Sequence, residues 1–132
     1  MKLWNQNSKD KNSAIDHFLS SEDITLDQEL FLYDIEASIA HTHELEKINI
    51  FTKTEARKVI SSLKKLGKLY QTNKFKLTAK YEDCHSAIED FLTKELGSIG
   101  KKIHTGRSRN DQIMVAMRLY AREKLDEIQL IN

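Results

Sequence analysis

Proline is absent from the 132 residues, glycine occurs four times and cysteine once. Average proline usage is about 5%, so a chain with none, few glycines and long apolar-periodic stretches reads as helical. Cys84 has no second cysteine to pair with, which excludes an internal disulfide and suits a reducing, cytoplasmic setting. An excess of one charge is lacking too. The 21 Lys and Arg oppose 20 Asp and Glu for a net charge of +1, which argues against a nucleic-acid or membrane-surface binder. The longest unbroken apolar run is Ile113–Met117, far below the roughly 20 residues of a membrane helix. Met1–Trp4 runs straight into the polar stretch Asn5–Asp10, without the apolar region of a secretory signal.

What remains, 39% apolar and 31% charged, is the composition of a folded chain of one domain, or a domain plus a piece of another. Ala14, Ile15, Phe18 and Leu19 predict a short helix over Ser13–Leu19. Asp23 and Thr25 are candidate caps for a long helix over Leu26–Lys47, with Leu26, Leu30, Tyr33, Ala37 and Ala40 on its apolar face. Thr52-Lys53-Thr54-Glu55 is a capping box. The helix it opens runs to Tyr70 and buries Ala56, Val59, Ile60, Leu63, Leu66 and Tyr70. After a connection at 71–79, a helix over Tyr81–Leu96 carries Ile88, Phe91, Leu92 and Leu96 on one side and stops at Gly97. Gly97–Asp111 reads as a polar loop, and a final helix starts at Asp111. Its apolar residues, from Ile113 to Ile131, cover more than one face and call for neighbours on several sides.

The chemistry concentrates in His104-Thr105-Gly106-Arg107-Ser108-Arg109-Asn110-Asp111. Two arginines, several hydroxyl and amide groups and a glycine precede a helix N-terminus, where free N–H groups and the dipole favour an anion. Arginine forks bind carboxylates bidentately. The pattern fits a small-carboxylate or phosphate site, but the residues alone favour a solvated basic loop whose Asn110 or Asp111 simply caps the helix. Other candidates are weaker. His41 and His43, at i and i+2 of a helix, point to nearly opposite sides, and no metal set with zinc spacing accompanies them. Cys84 and His85 diverge by about 100° on a helix, so Cys84 reads as a buried structural thiol. Lys64, Lys65 and Lys68 read as a solvated stripe, and Tyr33, Tyr70 and Tyr120 as packing residues rather than a base.

The block from His104 to Asp111, followed by Gln112, resembles the first signature of the argininosuccinate lyases, in the fumarase/aspartase superfamily. The similarity extends to Met1-Lys2-Leu3-Trp4, to Leu26-Asp27 through Tyr33-Asp34-Ile35-Glu36-Ala37-Ser38-Ile39-Ala40-His41, to Glu82-Asp83-Cys84-His85-Ser86, and to Leu96-Gly97 and Gly100–His104. Three departures from that pattern stand out. Asn5-Gln6-Asn7-Ser8 stands where the family has Gly-Gly-Arg-Phe. Asp23 stands four residues before Asp27 in place of a substrate-contacting Ser, with Ser20 and Ser21 just upstream. Cys84 replaces an Ile.

The resemblance implies an all-α fold. Residues 1–110 would form the N-terminal helical domain, with the substrate-binding signature loop at 104–111. Residues 111–132 would start the first helix of a central helical bundle. It implies a lyase that splits argininosuccinate into arginine and fumarate by β-elimination, in arginine biosynthesis, in the cytoplasm, without cofactor or metal. Asn110, Arg109, Arg107, Ser108, Thr105, His85, Asp83 and Asp23 would bind substrate, the dicarboxylate end lying at the arginine-rich loop. No residue here would be the base or acid. The later block with its Met-Pro and catalytic serine is missing from a proline-free chain, and so is the middle block with its histidine. The family's active sites are assembled from three subunits of a homotetramer, so the isolated chain is expected to be inactive. The alternatives are a short inactive relative with an assembly or regulatory role, and a superfamily lyase releasing fumarate from another substrate such as adenylosuccinate.

Overall fold

The computed structural model describes the backbone of residues 13–131 except Ala79, and side chains from Asp27 onward. The expectations for Met1–Ser8 and for the side chains of Ser20, Ser21 and Asp23 lie outside the described residues. The order is α1 (Ser13–Lys47), α2 (Lys53–Gln71), α3 (Cys84–Leu96), α4 (Ser98–Lys101), a 3-10 turn (Lys102–His104) and α5 (Arg109–Ile131). No strand occurs among the described residues, in line with the all-α expectation.

The two N-terminal helices expected from the sequence are one. Asp23 and Thr25 lie inside α1 and not at a helix start, because no glycine or proline interrupts Ser13–Lys47. The buried face also differs. Phe31, Ile35 and Leu45 sink into the core beside polar Asp34, Ser38 and Thr42, while Ala40 is exposed and Leu30 and Tyr33 are half-buried. The cause is that α1 packs on two sides. One face meets α2 and α3, and the other meets α5, where the Tyr33 and Tyr120 rings stand edge to face at 5.7 Å.

α2 follows the expectation closely. Thr52 Oγ1 accepts from the Glu55 N–H, and a Glu55 carboxylate oxygen accepts from the Thr52 N–H at 2.8 Å. Ala56, Val59, Leu63 and Leu66 are fully buried against Phe31, Ile88 and Leu92. α3 begins at Cys84 rather than Tyr81, because extended Asp83 caps it in a box with Ser86. Phe75 and Tyr81 tie the preceding connection to the core, with Phe75 stacked on Phe31 at 5.7 Å.

Gly97–Asp111 is not a plain loop. After Gly97 ends α3, α4 and the 3-10 turn fold back and bury Ile103. Gly100 makes this possible. A Cβ there would overlap the Leu92 carbonyl and come within 2.8 Å of Thr93 N, all rigid backbone. The return sets Thr105 and Arg107 against α1 and starts α5 at Arg109, two residues before the expected Asp111.

Candidate functional site

Ser108 and Asp111 open α5. One Asp111 carboxylate oxygen, Oδ2, accepts from the Ser108 N–H at 2.6 Å and from its hydroxyl at 2.8 Å. The Asp111 N–H donates back to Ser108 Oγ. These bonds hold the Asp111 carboxyl below its ordinary value. They also commit the Ser108 hydroxyl to capping. Gly106, at φ +71°, makes the turn that lets the chain reach this cap.

The two arginines leave the loop in different directions. Arg107 reaches α1, donating from Nη2 to Ser38 Oγ at 3.1 Å, and burial pushes its guanidinium down while Asp34 pulls it up. Arg109 reaches α3, where its Nε lies 3.2 Å from Asp83 Oδ2 and its Nη1 lies 3.5 Å from Glu89 Oε1. Glu89 also meets His104 Nδ1 at 3.2 Å. The loop is pinned once more by His41 Nε2, 2.9 Å from the Thr105 carbonyl. Burial and the adjacent Arg107 hold His41 below its ordinary pKa, so the neutral ring donates that bond.

Behind the loop lies a buried polar centre. Asp34 Oδ2 and His85 Nδ1 are 2.5 Å apart, with both side chains essentially inaccessible. Cys84 Sγ is 3.7 Å from that nitrogen, and Asp27 Oδ2 accepts from the Cys84 N–H at 2.9 Å. Burial raises the Asp27 carboxyl. Burial and the surrounding carboxylates push the Cys84 thiol far up, so it is a protonated structural group, as expected, and not a nucleophile. The expected divergence of Cys84 and His85 does not hold. At the helix start both turn inward onto Asp34. Asp34, Cys84 and His85 place carboxylate, thiol and imidazole atoms within 4.8 Å of one another. Two ligands of one zinc ion sit roughly 3.3 Å apart, whereas Asp34 and His85 are in direct hydrogen-bond contact, so this is a hydrogen-bonded pair.

The structure thus gathers Arg107, Ser108, Arg109, Asp83 and His85 at one junction of α1, α3 and α5. Thr105 and Asn110 are exposed on its outer surface. The side chain of Asp23 lies outside the described residues. Buried polar atoms mark the junction. Asp34 Oδ1, His85 Nε2, Arg107 Nε and Gln112 Nε2 have no hydrogen-bond partner among the described residues. Arg107 and Gln112 also line a small cavity of about 120 Å³ with Ala37, His41, Asp111 and Val115. Sequence reasoning placed Asp27, Asp34, Ser38, His41 and Gln112 within the resemblance without a site role, weighed His41 only as a metal candidate, and did not single out Glu89. The only signal lay on α1, where polar residues recur at 34, 38, 41 and 42 at helical spacing, and that pattern alone does not say that they face inward.

Comparison with known proteins gives a consistent picture. Residues 8–131 match a family model described as Lyase. Argininosuccinate lyase of Xylella fastidiosa strain Temecula1 is 45% identical over 130 residues, covering 98% of this chain and 29% of the relative. The argininosuccinate lyases of Xanthomonas euvesicatoria and Stenotrophomonas maltophilia are each 45% identical over 98% of this chain and 30% of their own length. The chain spans about three-tenths of the length of these relatives.

Proposed function

The chain belongs to this lyase family, and from that premise we propose that it is the N-terminal portion of an argininosuccinate lyase and carries part of the substrate site. The reaction is β-elimination of argininosuccinate to arginine and fumarate, a cytoplasmic step of arginine synthesis. It needs a base beside a carboxylate, stabilisation of the resulting carbanion and a proton for the leaving nitrogen. This chain contributes binding and orientation. Arg107 and Arg109 attract the dicarboxylate end, with Asp83 and Glu89 holding the Arg109 fork in place. Asn110 and Thr105, on the open side, contact substrate once neighbouring subunits of a homotetramer cover them. Ser108 acts by fixing the helix start, and His85 reaches substrate from the buried side. The helical domain runs to the signature segment at 104–111, and α5, which starts at Arg109, begins a bundle helix.

The observation that carries the reading is the convergence of Arg107, Arg109 and His85 at the junction of α1, α3 and α5, where buried polar atoms of Asp34, His85, Arg107 and Gln112 have no partner among the described residues. Buried groups without partners are uncommon in folded proteins and ask for a ligand or water. Titration of the 15N-labelled chain with fumarate tests it. Amide shifts confined to 104–113 and the start of α3, with a dissociation constant near millimolar, equivalent to about 4 kcal/mol, are expected. No shift at saturating fumarate would refute the reading. Argininosuccinate perturbing these residues more than adenylosuccinate would separate the two superfamily substrates.

A further inference from the structure

Asp34, Ser38 and His41 sit at i, i+4 and i+7 of α1, on one stripe of the helix. Each reaches another segment, and each holds a different part of the candidate site. Asp34 meets His85, Ser38 meets Arg107, and His41 meets the Thr105 carbonyl. α1 therefore sets the spacing of the site from behind.

The Asp34–His85 contact has a chemical consequence that the other two lack. An imidazole has two distinct nitrogens, and the bond made by one fixes the state of the other. When the Asp34 carboxylate is ionised it only accepts, so His85 Nδ1 then carries the hydrogen that Asp34 Oδ2 receives. In the neutral ring, Nε2 is then a bare lone pair. That nitrogen is buried and has no partner among the described residues. A lone pair pairs with an N–H donor and not with a carboxylate. We propose that Asp34 is a positioning residue that locks His85 in its Nδ1–H form, so that Nε2, covered in the ligand-free chain, accepts an N–H from the guanidino end of the substrate when binding opens that cover. This rests on the argininosuccinate reading. It assigns His85 to the nitrogen end of the substrate and leaves the carboxylates to Arg107 and Arg109.

The test uses long-range 1H–15N correlation on the histidine-labelled 132-residue chain, first without ligand. The expected spectrum of His85 has a protonated Nδ1 and an unprotonated Nε2. A His85 ring with the hydrogen on Nε2 overturns the proposal at once. In Asp34→Asn the amide can face the ring with either its oxygen or its nitrogen, so the single tautomer should give way to a mixture. Asp34→Glu, which keeps the acceptor, should restore it. An unchanged tautomer in folded Asp34→Asn also overturns the proposal. If neither variant folds, the wild-type spectrum still decides. Arginine should then shift Nε2 while fumarate shifts the loop amides. Loop shifts with fumarate but an Nε2 indifferent to saturating arginine refute the acceptor role. A loop indifferent to fumarate refutes the proposed function instead, and leaves the ligand-free tautomer result intact.

Discussion

Asp83 Oδ2 lies 3.2 Å from Arg109 Nε while the Oδ1 of the same carboxylate accepts the Ser86 N–H at 2.7 Å. One side chain thus caps α3 and anchors the first residue of α5. Substitution should therefore have two separable effects. Asp83→Asn keeps an acceptor for the cap and loses the charge facing Arg109. Asp83→Ala loses both. We expect Asp83→Ala to lower stability by about 1 kcal/mol or more through the cap alone, and Asp83→Asn by less. Both should weaken fumarate binding, by releasing Arg109 towards Glu89. Chemical denaturation beside the fumarate titration checks this. Equal stability loss in the two variants would show that the cap is not the main term.

Gly100 should tolerate no side chain. A Cβ would press on the Leu92–Thr93 backbone, which cannot yield as a flexible side chain would. Overpacking of this kind costs about 1–3 kcal/mol. The strain should appear at α4 and at buried Ile103, which carry the chain back to the signature loop. Gly100→Ala should lower the thermal midpoint and speed amide exchange in 98–106. A midpoint equal to wild type would contradict the packing described for α4.

Acid should loosen the loop in two stages. His41 has its pKa held below the ordinary 6.5 by burial and Arg107, with His104 adding to this and Glu44 opposing it. The unfolded chain therefore takes up a proton near pH 6.5 that the folded chain refuses, and stability falls as pH drops below that value. Asp111 is held below its ordinary 3.8 by the Ser108 N–H and hydroxyl. Its contribution is complete above pH 3.8 and is lost as pH falls through the lower, folded value. Thermal midpoints measured from pH 8 to pH 3 should decline in both windows. His41→Asn should flatten the upper window only, and Asp111→Asn the lower.

Much of this arrangement was legible in the residues. The Thr52–Glu55 box, the stop at Gly97 and the core positions of α2 follow from local chemistry that tertiary contacts do not alter. The signature segment stands out in the sequence because its arginines, glycine and amides fall together. Asp34, Ser38 and His41 were not found, because an isolated helical pattern cannot say which polar residues are turned inward. That depends on α1 packing against both α3 and α5. The unbroken length of α1 escaped for a related reason. Asp23 and Thr25 are good caps only where a helix must start, and nothing in Ser13–Leu26 forces one to stop. Gly100 carried no readable signal either, since its role is set by a backbone eight residues earlier.

The surface of α5 leads to the last expectation. Met114, Met117, Leu125, Leu130 and Ile131 are all more than half exposed, and Val115 is 44% exposed. They lie on several sides of the helix, as the sequence pattern implied, and together form an apolar surface of the kind that marks an interaction site. Taken alone, the 132 residues should therefore self-associate through α5, with apparent mass rising with concentration in light scattering. Met117→Lys with Leu125→Lys should return the chain to a monomer without loss of helicity before the distal half of α5. The same preparation should release no fumarate from argininosuccinate, because neither base nor acid lies among the residues assigned to the site. Host lyase is the obvious contaminant, so the chain must come from a strain lacking its own enzyme. Fumarate formation above a protein-free control in that preparation would show that these residues carry the chemistry as well as the binding. A monomer at millimolar concentration would show that α5 needs no cover.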